Sequence, residues 1–254
     1  QCGSFAGVKN PVVFTGKSGL PRGKRNIRLK KEGYHLAVES GRIVICAGDR
    51  RGFIYAAETL LQLCLLHRRE RKIRCCTIED YPFMGLRGVH FGLPPRKEIP
   101  YLKRLIRDLF VPMKYNTLFM EIAGGMLFDR RPEINKTWIE KNRKTKHRTL
   151  HEPIPHGGMV ADGECLTKRE VTDIIAYARA HGMDVIPEVQ SLSHVQYLTA
   201  AYPEIGEWDA EVADGKEKTD HNIADKRPGQ TYAHCYCPSN EKSYEVLFDI
   251  LDEI

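Results

Sequence analysis

From residue 33 onward, apolar and polar positions fall into short blocks with two different rhythms. Tyr34 to Val38 and Arg42 to Ala47 are strand-like runs flanking Glu39-Ser40-Gly41, where the glycine can take positive φ; the spacing predicts a hairpin. Behind Asp49, an N-cap residue, Phe53, Ile54, Ala57, Leu60, Leu61 and Cys64 recur with helical period and predict a helix to about Leu66. Lys72 to Ile78 is a further strand, and Pro11 to Phe14 an edge strand. Together these elements describe a small α/β domain over residues 1–79, bounded by Asp80-Tyr81-Pro82.

From Arg87 the hairpins stop and strands alternate with helices. Gly88 to Gly92 predicts a short apolar strand. A helix from near Pro100 follows, with Leu102, Leu105, Ile106 and Leu109 as its stripe and Pro112 as its stop. Asn116 to Ile122 is the second strand, and residues 123–166 read as a polar insertion. Thr167-Lys168-Arg169-Glu170 is a capping box for a helix carrying Val171, Ile174, Ile175 and Ala178 and ending at His181-Gly182. Met183 to Val189 is the third strand, and a last helix with Val246, Leu247, Ile250, Leu251 and Ile254 closes the chain after another polar stretch. Such alternation implies right-handed crossovers and a parallel sheet. Residues 80–254 are therefore expected to be the first part of a (β/α)8 TIM barrel, truncated, because about three βα units do not close a core.

Composition adds limits. At 254 residues, 42% hydrophobic and 28% charged, the sequence fits an ordinary globular protein of two cores. No apolar run approaches the roughly 18 residues of a membrane helix. The net charge of +6 is spread over Arg22 to Lys31, His67 to Arg74 and Lys141 to Arg148 with no nucleic-acid motif, so no nucleic-acid or membrane partner is expected. The eight cysteines lack paired zinc-type spacing, and His234-Cys235-Tyr236-Cys237 alone is a weak metal signal. No metal and no cofactor is expected, and reduced cysteines favour a cytoplasmic protein.

A TIM barrel keeps its chemistry in the loops after its strands. After the first strand, Pro94-Pro95 would hold Arg96 in a fixed place, where a guanidinium fork suits two sugar hydroxyls or, equally, a carboxylate such as Glu98. After the third strand, Glu188 is followed six residues on by His194, a possible polar pair on the floor of a site or a structural acid in a loop. After the second, Glu121 precedes Ala123-Gly124-Gly125; the glycines would let backbone approach a ligand, and Glu121 could equally be a core acid paired with a lysine.

These residues carry a resemblance. Asp80-Tyr81-Pro82 with Leu86-Arg87-Gly88, then Met113-Lys114-Tyr115-Asn116, then Gly182-Met183-Asp184-Val185-Ile186-Pro187-Glu188 with His194 and Tyr202-Pro203-Glu204, resemble the barrel of glycoside hydrolase family 20. Gly33-Tyr34-His35-Leu36 and Gly52-Phe53-Ile54-Tyr55-Ala56 resemble its accessory α/β domain. The resemblance implies a carbohydrate substrate and a β-N-acetylhexosaminidase-like enzyme. In that family the substrate's acetamido oxygen attacks the anomeric carbon, an aspartate orients the acetamido group, and the adjacent glutamate protonates the leaving oxygen. The Asp-Glu pair is expected beyond residue 254, so the fragment alone is expected to be inactive. Arg96 carries over as the sugar-binding arginine, His194 as the support of the acid, and Glu188 as its neighbour on the adjoining strand. The sequence departs from the family pattern where Gly92 replaces an aspartate, where Arg96 falls one position late, and where Ala123-Gly124-Gly125-Met126 replaces an H-x-x-D-D loop. A non-catalytic carbohydrate-binding protein on this scaffold, or a barrel glycosidase of different sugar specificity, is the alternative.

Overall fold

The computed structural model describes residues 12–16, 29–70, 72–144, 164–208 and 231–254. Much of the expected basic stretches and insertion, with Cys2, lies outside these. Of the described residues, those up to Gly88, with Arg104–Thr117 and Ala178–Asp184, form one compact unit; Val89–Lys103, Leu118–Tyr177 and Val185–Ile254 form the other.

The first unit is a four-stranded sheet under a helix. β1 (Val12–Thr15), β2 (Tyr34–Glu39), β3 (Arg42–Ala47) and β4 (Cys76–Asp80) are ordered β1-β3-β2-β4, with β1 parallel to β3 and the other pairs antiparallel. The hairpin turns where expected, with Gly41 at φ +93°. Lys72 to Cys75 stay outside β4, which instead starts at Cys76 and sets Ile78 opposite Leu36. On one face Tyr34, Leu36 and Ile45 pack against Tyr55 and Ala56 of helix α1 (Arg50–Leu66). On the other face Ala37, Val44 and Cys46 are covered by Leu29. β2 is thus buried on both sides, which its unbroken apolar reading from Leu36 to Val38 reflects. Asp49 caps α1 as expected, accepting from the Gly52 amide at 2.8 Å.

A buried polar knot lies in the same unit. Glu32 is 3% exposed, and its carboxylate accepts from Arg87 Nη2 at 2.5 Å, Arg51 Nη1 at 3.0 Å and Asn116 Nδ2 at 3.1 Å. Arg87 also donates to the carbonyls of Lys114 and Met84, both at 2.7 Å, and to the Tyr55 hydroxyl at 2.9 Å. The arginine of the Arg87-Gly88 motif is therefore structural: it ties the turn at Glu32, helix α1 and the segments around Met84 and Lys114 together. Lys114, at φ +61°, closes the knot's edge with a 2.5 Å ion pair to Asp80.

Three more strands, β5 (Gly88–Gly92), β6 (Thr117–Glu121) and β7 (Asp184–Glu188), form a sheet in that order. The Asn116 amide donates to Arg87 O at one end and Leu93 to Glu121 O at the other; Asp184 to Asn116 O and Ile122 to Glu188 O bracket the second pair. The paired positions advance together along each strand, so all three run parallel. Helix α2 (Ile99–Leu105) continues as a π-turn over Ile106–Phe110, its extra residue absorbed just before Pro112, which has no amide to continue the ladder. Helix α4 (Lys168–Ala180) opens on the capping box: Thr167 Oγ1 accepts from the Glu170 amide at 3.2 Å, and the Glu170 carboxylate accepts from the Thr167 amide at 2.8 Å. It ends at Gly182, φ +84°. Sheet, crossovers and accessory domain together are the expected α/β architecture, an accessory domain followed by the start of a TIM barrel.

Two parts of the polar stretches are structured. Residues 132–144 form helix α3 (Pro132–Lys144), with proline at its first position and Ile134 and Trp138 buried one turn apart. After β7 come a short helix α5 (Gln196–Thr199), a 3₁₀ turn at Pro203–Ile205 and an antiparallel pair, β8 (Gly206–Trp208) with β9 (Thr231–Tyr236). The last helix, α6 (Glu241–Leu251), is capped by the side chain of Asn240. Among the described residues no helix is long and apolar enough to cross a membrane.

Candidate active site

The parallel strands bring three titratable side chains of the second unit together. His90 on β5 has its Nε2 2.9 Å from Glu188 Oε2 at the end of β7 and 3.8 Å from Glu121 Oε2 at the end of β6. Gln190, two residues past β7, donates to Glu121 Oε1 at 2.8 Å. Glu121 is 7% exposed, whereas the His90 and Glu188 side chains are 52% and 39% exposed, so the cluster is closed at Glu121 and open at His90. His90 Nε2 thus faces both carboxylates, close to Glu188 and beyond hydrogen-bond distance of Glu121. Such a trio can orient a carboxylate, hold a proton and present polar atoms to a ligand. Tyr197 lies against it, fully buried; burial first, then the charge of Glu121, pushes its hydroxyl far above the usual range, so it stays neutral.

Glu188 therefore sits where expected, at the C-terminal end of a barrel strand, and the histidine the structure places on it is His90. Nothing in the local sequence marks His90, which stands in a five-residue strand read as apolar; only the adjacency of β5, β6 and β7 shows its partners. Glu121 is buried with Gln190 and His90 about it in place of the lysine considered from sequence.

His194 lies in the loop after β7, half-buried, at φ +59°, with Leu192 at φ +67°. Two left-handed non-glycine residues in three positions is strained backbone that only surrounding structure maintains. Strand β9 supplies that support: Tyr236 donates its amide to Leu192 O at 3.1 Å, its hydroxyl meets Ser191 Oγ at 2.6 Å, and Ser193 bridges Cys235.

Arg96 opens the 3₁₀ turn after β5. Its Nε and Nη2 grip the two oxygens of Glu170, Nη2 also reaches the Cys165 carbonyl at 3.1 Å, and Nη1 pairs with Glu164. The Arg96 hydrogen bonds above all, with those from Thr167, hold the Glu170 carboxyl down at about 2 despite some burial. The guanidinium is thus engaged on the capping box of α4.

Ala123-Gly124-Gly125 is a fully buried 3₁₀ turn, and the glycines serve packing where backbone access to a ligand was expected. A Cβ on Gly124 would lie 2.8 Å from Trp138 Cδ1 and from Tyr197 Cβ, too close for any side chain. Among the described residues, no group of three or more histidine, cysteine, aspartate or glutamate side chains is arranged for a metal ion.

Comparison with known proteins gives this geometry its context. Residues 12–81 match the model described as glycosyl hydrolase family 20, domain 2, and residues 98–254 the model of that family's catalytic domain. A β-hexosaminidase of Akkermansia muciniphila is 32% identical over 179 residues, covering 69% of this chain and 34% of that protein. One from Vibrio furnissii is 27% identical over 190 residues, covering 71% and 30%. The chain thus spans about a third of the length of these curated relatives. Among solved structures, the exo-β-N-acetylglucosaminidase of Vibrio harveyi in complex with N-acetylglucosamine superposes with a TM-score of 0.67 at 24% identity, over 95% of this chain and 35% of that one. A Bacteroides fragilis β-N-acetylhexosaminidase gives 0.64 at 21%, over 95% and 42%. With the catalytic-domain match alone extending over more than half of its residues, the chain belongs to glycosyl hydrolase family 20.

Proposed function

We propose that the protein carrying this chain removes terminal N-acetylhexosamine residues from glycans or glycosides, with retention at the anomeric carbon and the substrate's own acetamido oxygen as nucleophile. The catalytic-domain match over residues 98–254 carries this proposal, and the acid–histidine cluster at the strand ends agrees with it. Residues 1–79 are then the accessory domain and 80–254 the barrel portion. The aspartate that orients the acetamido group and the glutamate that protonates the leaving oxygen belong to the strand after α6 in the family's order. His194 supports that acid, and Glu188 shapes the floor beside it.

The Vibrio harveyi protein's bound N-acetylglucosamine makes that sugar the first to test. The full-length protein is expected to cleave an aryl N-acetyl-β-glucosaminide in preference to the β-glucoside lacking the acetamido group, and to release the β-anomer first by proton NMR. Release of the α-anomer, or indifference to the acetamido group, would overturn the mechanism. Binding of the sugar without turnover would leave a carbohydrate-binding module.

Arg96 enters this proposal at the rim. A hydroxyl reaches its guanidinium by displacing Glu164, the more exposed of its two carboxylate partners. That exchange offsets part of a charged hydrogen bond's value, so Arg96→Ala should lower kcat/KM by about tenfold, the low end of the usual range. Exposed ion pairs contribute about 1 kcal/mol or less, and the melting temperature should move little. An unchanged kcat/KM would remove Arg96 from sugar binding.

A further inference from the structure

We propose that His90 binds a hydroxyl of the sugar, with Glu188 fixing its tautomer and Gly92 leaving the room for the ring. The proposal rests on the glycosidase reading above and adds a contact that the sequence pattern does not mark. Three observations carry it. First, Glu188 Oε2 lies 2.9 Å from Nε2; a carboxylate there favours the tautomer with its hydrogen on Nε2, and in that tautomer Nδ1 is an acceptor. A carboxylate fixing one imidazole nitrogen so that the other can act is a recurrent arrangement. Second, the His90 side chain is half exposed, at the open end of a cluster whose other end, Glu121, is buried. Third, Gly92 lies two residues on, on the same face of β5 as His90, and a Cβ built there meets nothing within 4 Å. The end of this strand is therefore open on the side to which His90 points, and backbone there can lie close to a ligand. Arg96, by contrast, has most of its donors already spent on Glu164, Glu170 and the Cys165 carbonyl.

The contact is specific enough to isolate. On the full-length protein, kcat/KM is measured for wild type and His90→Ala with aryl N-acetyl-β-glucosaminides that are intact or deoxygenated at C3, C4 or C6. Wild-type turnover of the intact substrate tests the glycosidase reading by itself. His90→Ala should lower kcat/KM by about 2- to 12-fold on the intact substrate, the range for one hydrogen bond. The penalty should vanish on one deoxy substrate and persist on the others. An equal penalty on all of them, or none on any, overturns the contact and leaves His90 as a support of Glu188. Gly92→Val should keep the wild-type melting temperature and lose substrate affinity; unchanged affinity means no sugar lies against this strand end. If wild type turns over nothing, calorimetric titration with N-acetylglucosamine and its deoxy analogues answers the same question: a His90→Ala loss confined to one analogue pair supports the contact, and a uniform loss or no binding overturns it.

Discussion

Replacing Glu32 with alanine should lower the unfolding free energy by about 3–5 kcal/mol, the cost of removing one partner of a buried charge network. The loss is large because the arginines stay. Arg87 keeps its two carbonyls and the Tyr55 hydroxyl but no carboxylate; Arg51 keeps Asp184. Against total stabilities of about 5–15 kcal/mol, the variant should be marginal, and urea unfolding measures the difference directly. Glu32→Gln, which retains an acceptor and the side chain's shape, should lose less. The pH dependence follows from the same contacts. Burial opposes ionisation of Glu32, but hydrogen bonds from Arg87, Asn116 and Arg51 outweigh it and set the carboxyl below its usual value. Because the folded value is depressed, the contribution is full above the unfolded carboxyl's pKa of about 4.3 and drains away as pH falls through the lower folded value. The gap between wild type and Glu32→Ala should therefore narrow below about pH 4. A gap under about 1 kcal/mol at pH 7 would show that the knot contributes no more than a surface pair.

The second large effect is catalytic. If the proposed function holds, His194→Ala in the full-length protein should reduce kcat by about 10- to 1,000-fold, the range for loss of a group supporting a general acid. KM should change less, because the proposed role of the histidine is toward the acid and not the sugar. The strained backbone at φ +59° complicates a single substitution, because alanine tolerates that conformation poorly. His194→Asn is the control: asparagine enters the left-handed region readily, so it should keep the loop folded while lacking the imidazole. Both variants slow, with His194→Asn melting like wild type, is the expected pattern. Normal kcat in His194→Asn would make the histidine a backbone device and nothing more.

What was legible in the sequence was local. The Gly41 turn, the Asp49 cap and the Thr167–Glu170 box are each decided within a few residues, and all three stand where the pattern puts them. Helix α3 escaped because its buried face is only Ile134, Asn135 and Trp138 among its first turns, too narrow a stripe in so polar a stretch. The β8–β9 pair escaped because its strands lie more than twenty residues apart in the chain. The candidate site was half legible for the same reason. Glu188 is marked by its place at a strand end, but the pairing with His90 spans about a hundred residues and exists only once the sheet has formed. Arg87 shows the converse: its motif was visible, but its role as the partner of Glu32 depended on a turn fifty-five residues upstream.

The buried turn at Ala123–Gly125 has an evolutionary consequence. Barrel enzymes ordinarily change substrate by lengthening or recolouring the loops after their strands. Here the stretch directly after β6 is walled in by Trp138 and Tyr197, and no side chain larger than hydrogen fits at Gly124. A lineage built on this sequence cannot try new chemistry at that corner without first dismantling α3. Its freedom to diverge lies instead at the ends of β5 and β7, where Gly92 is open, His90 is exposed and Glu188 is half-buried, and that is where close relatives should carry their differences.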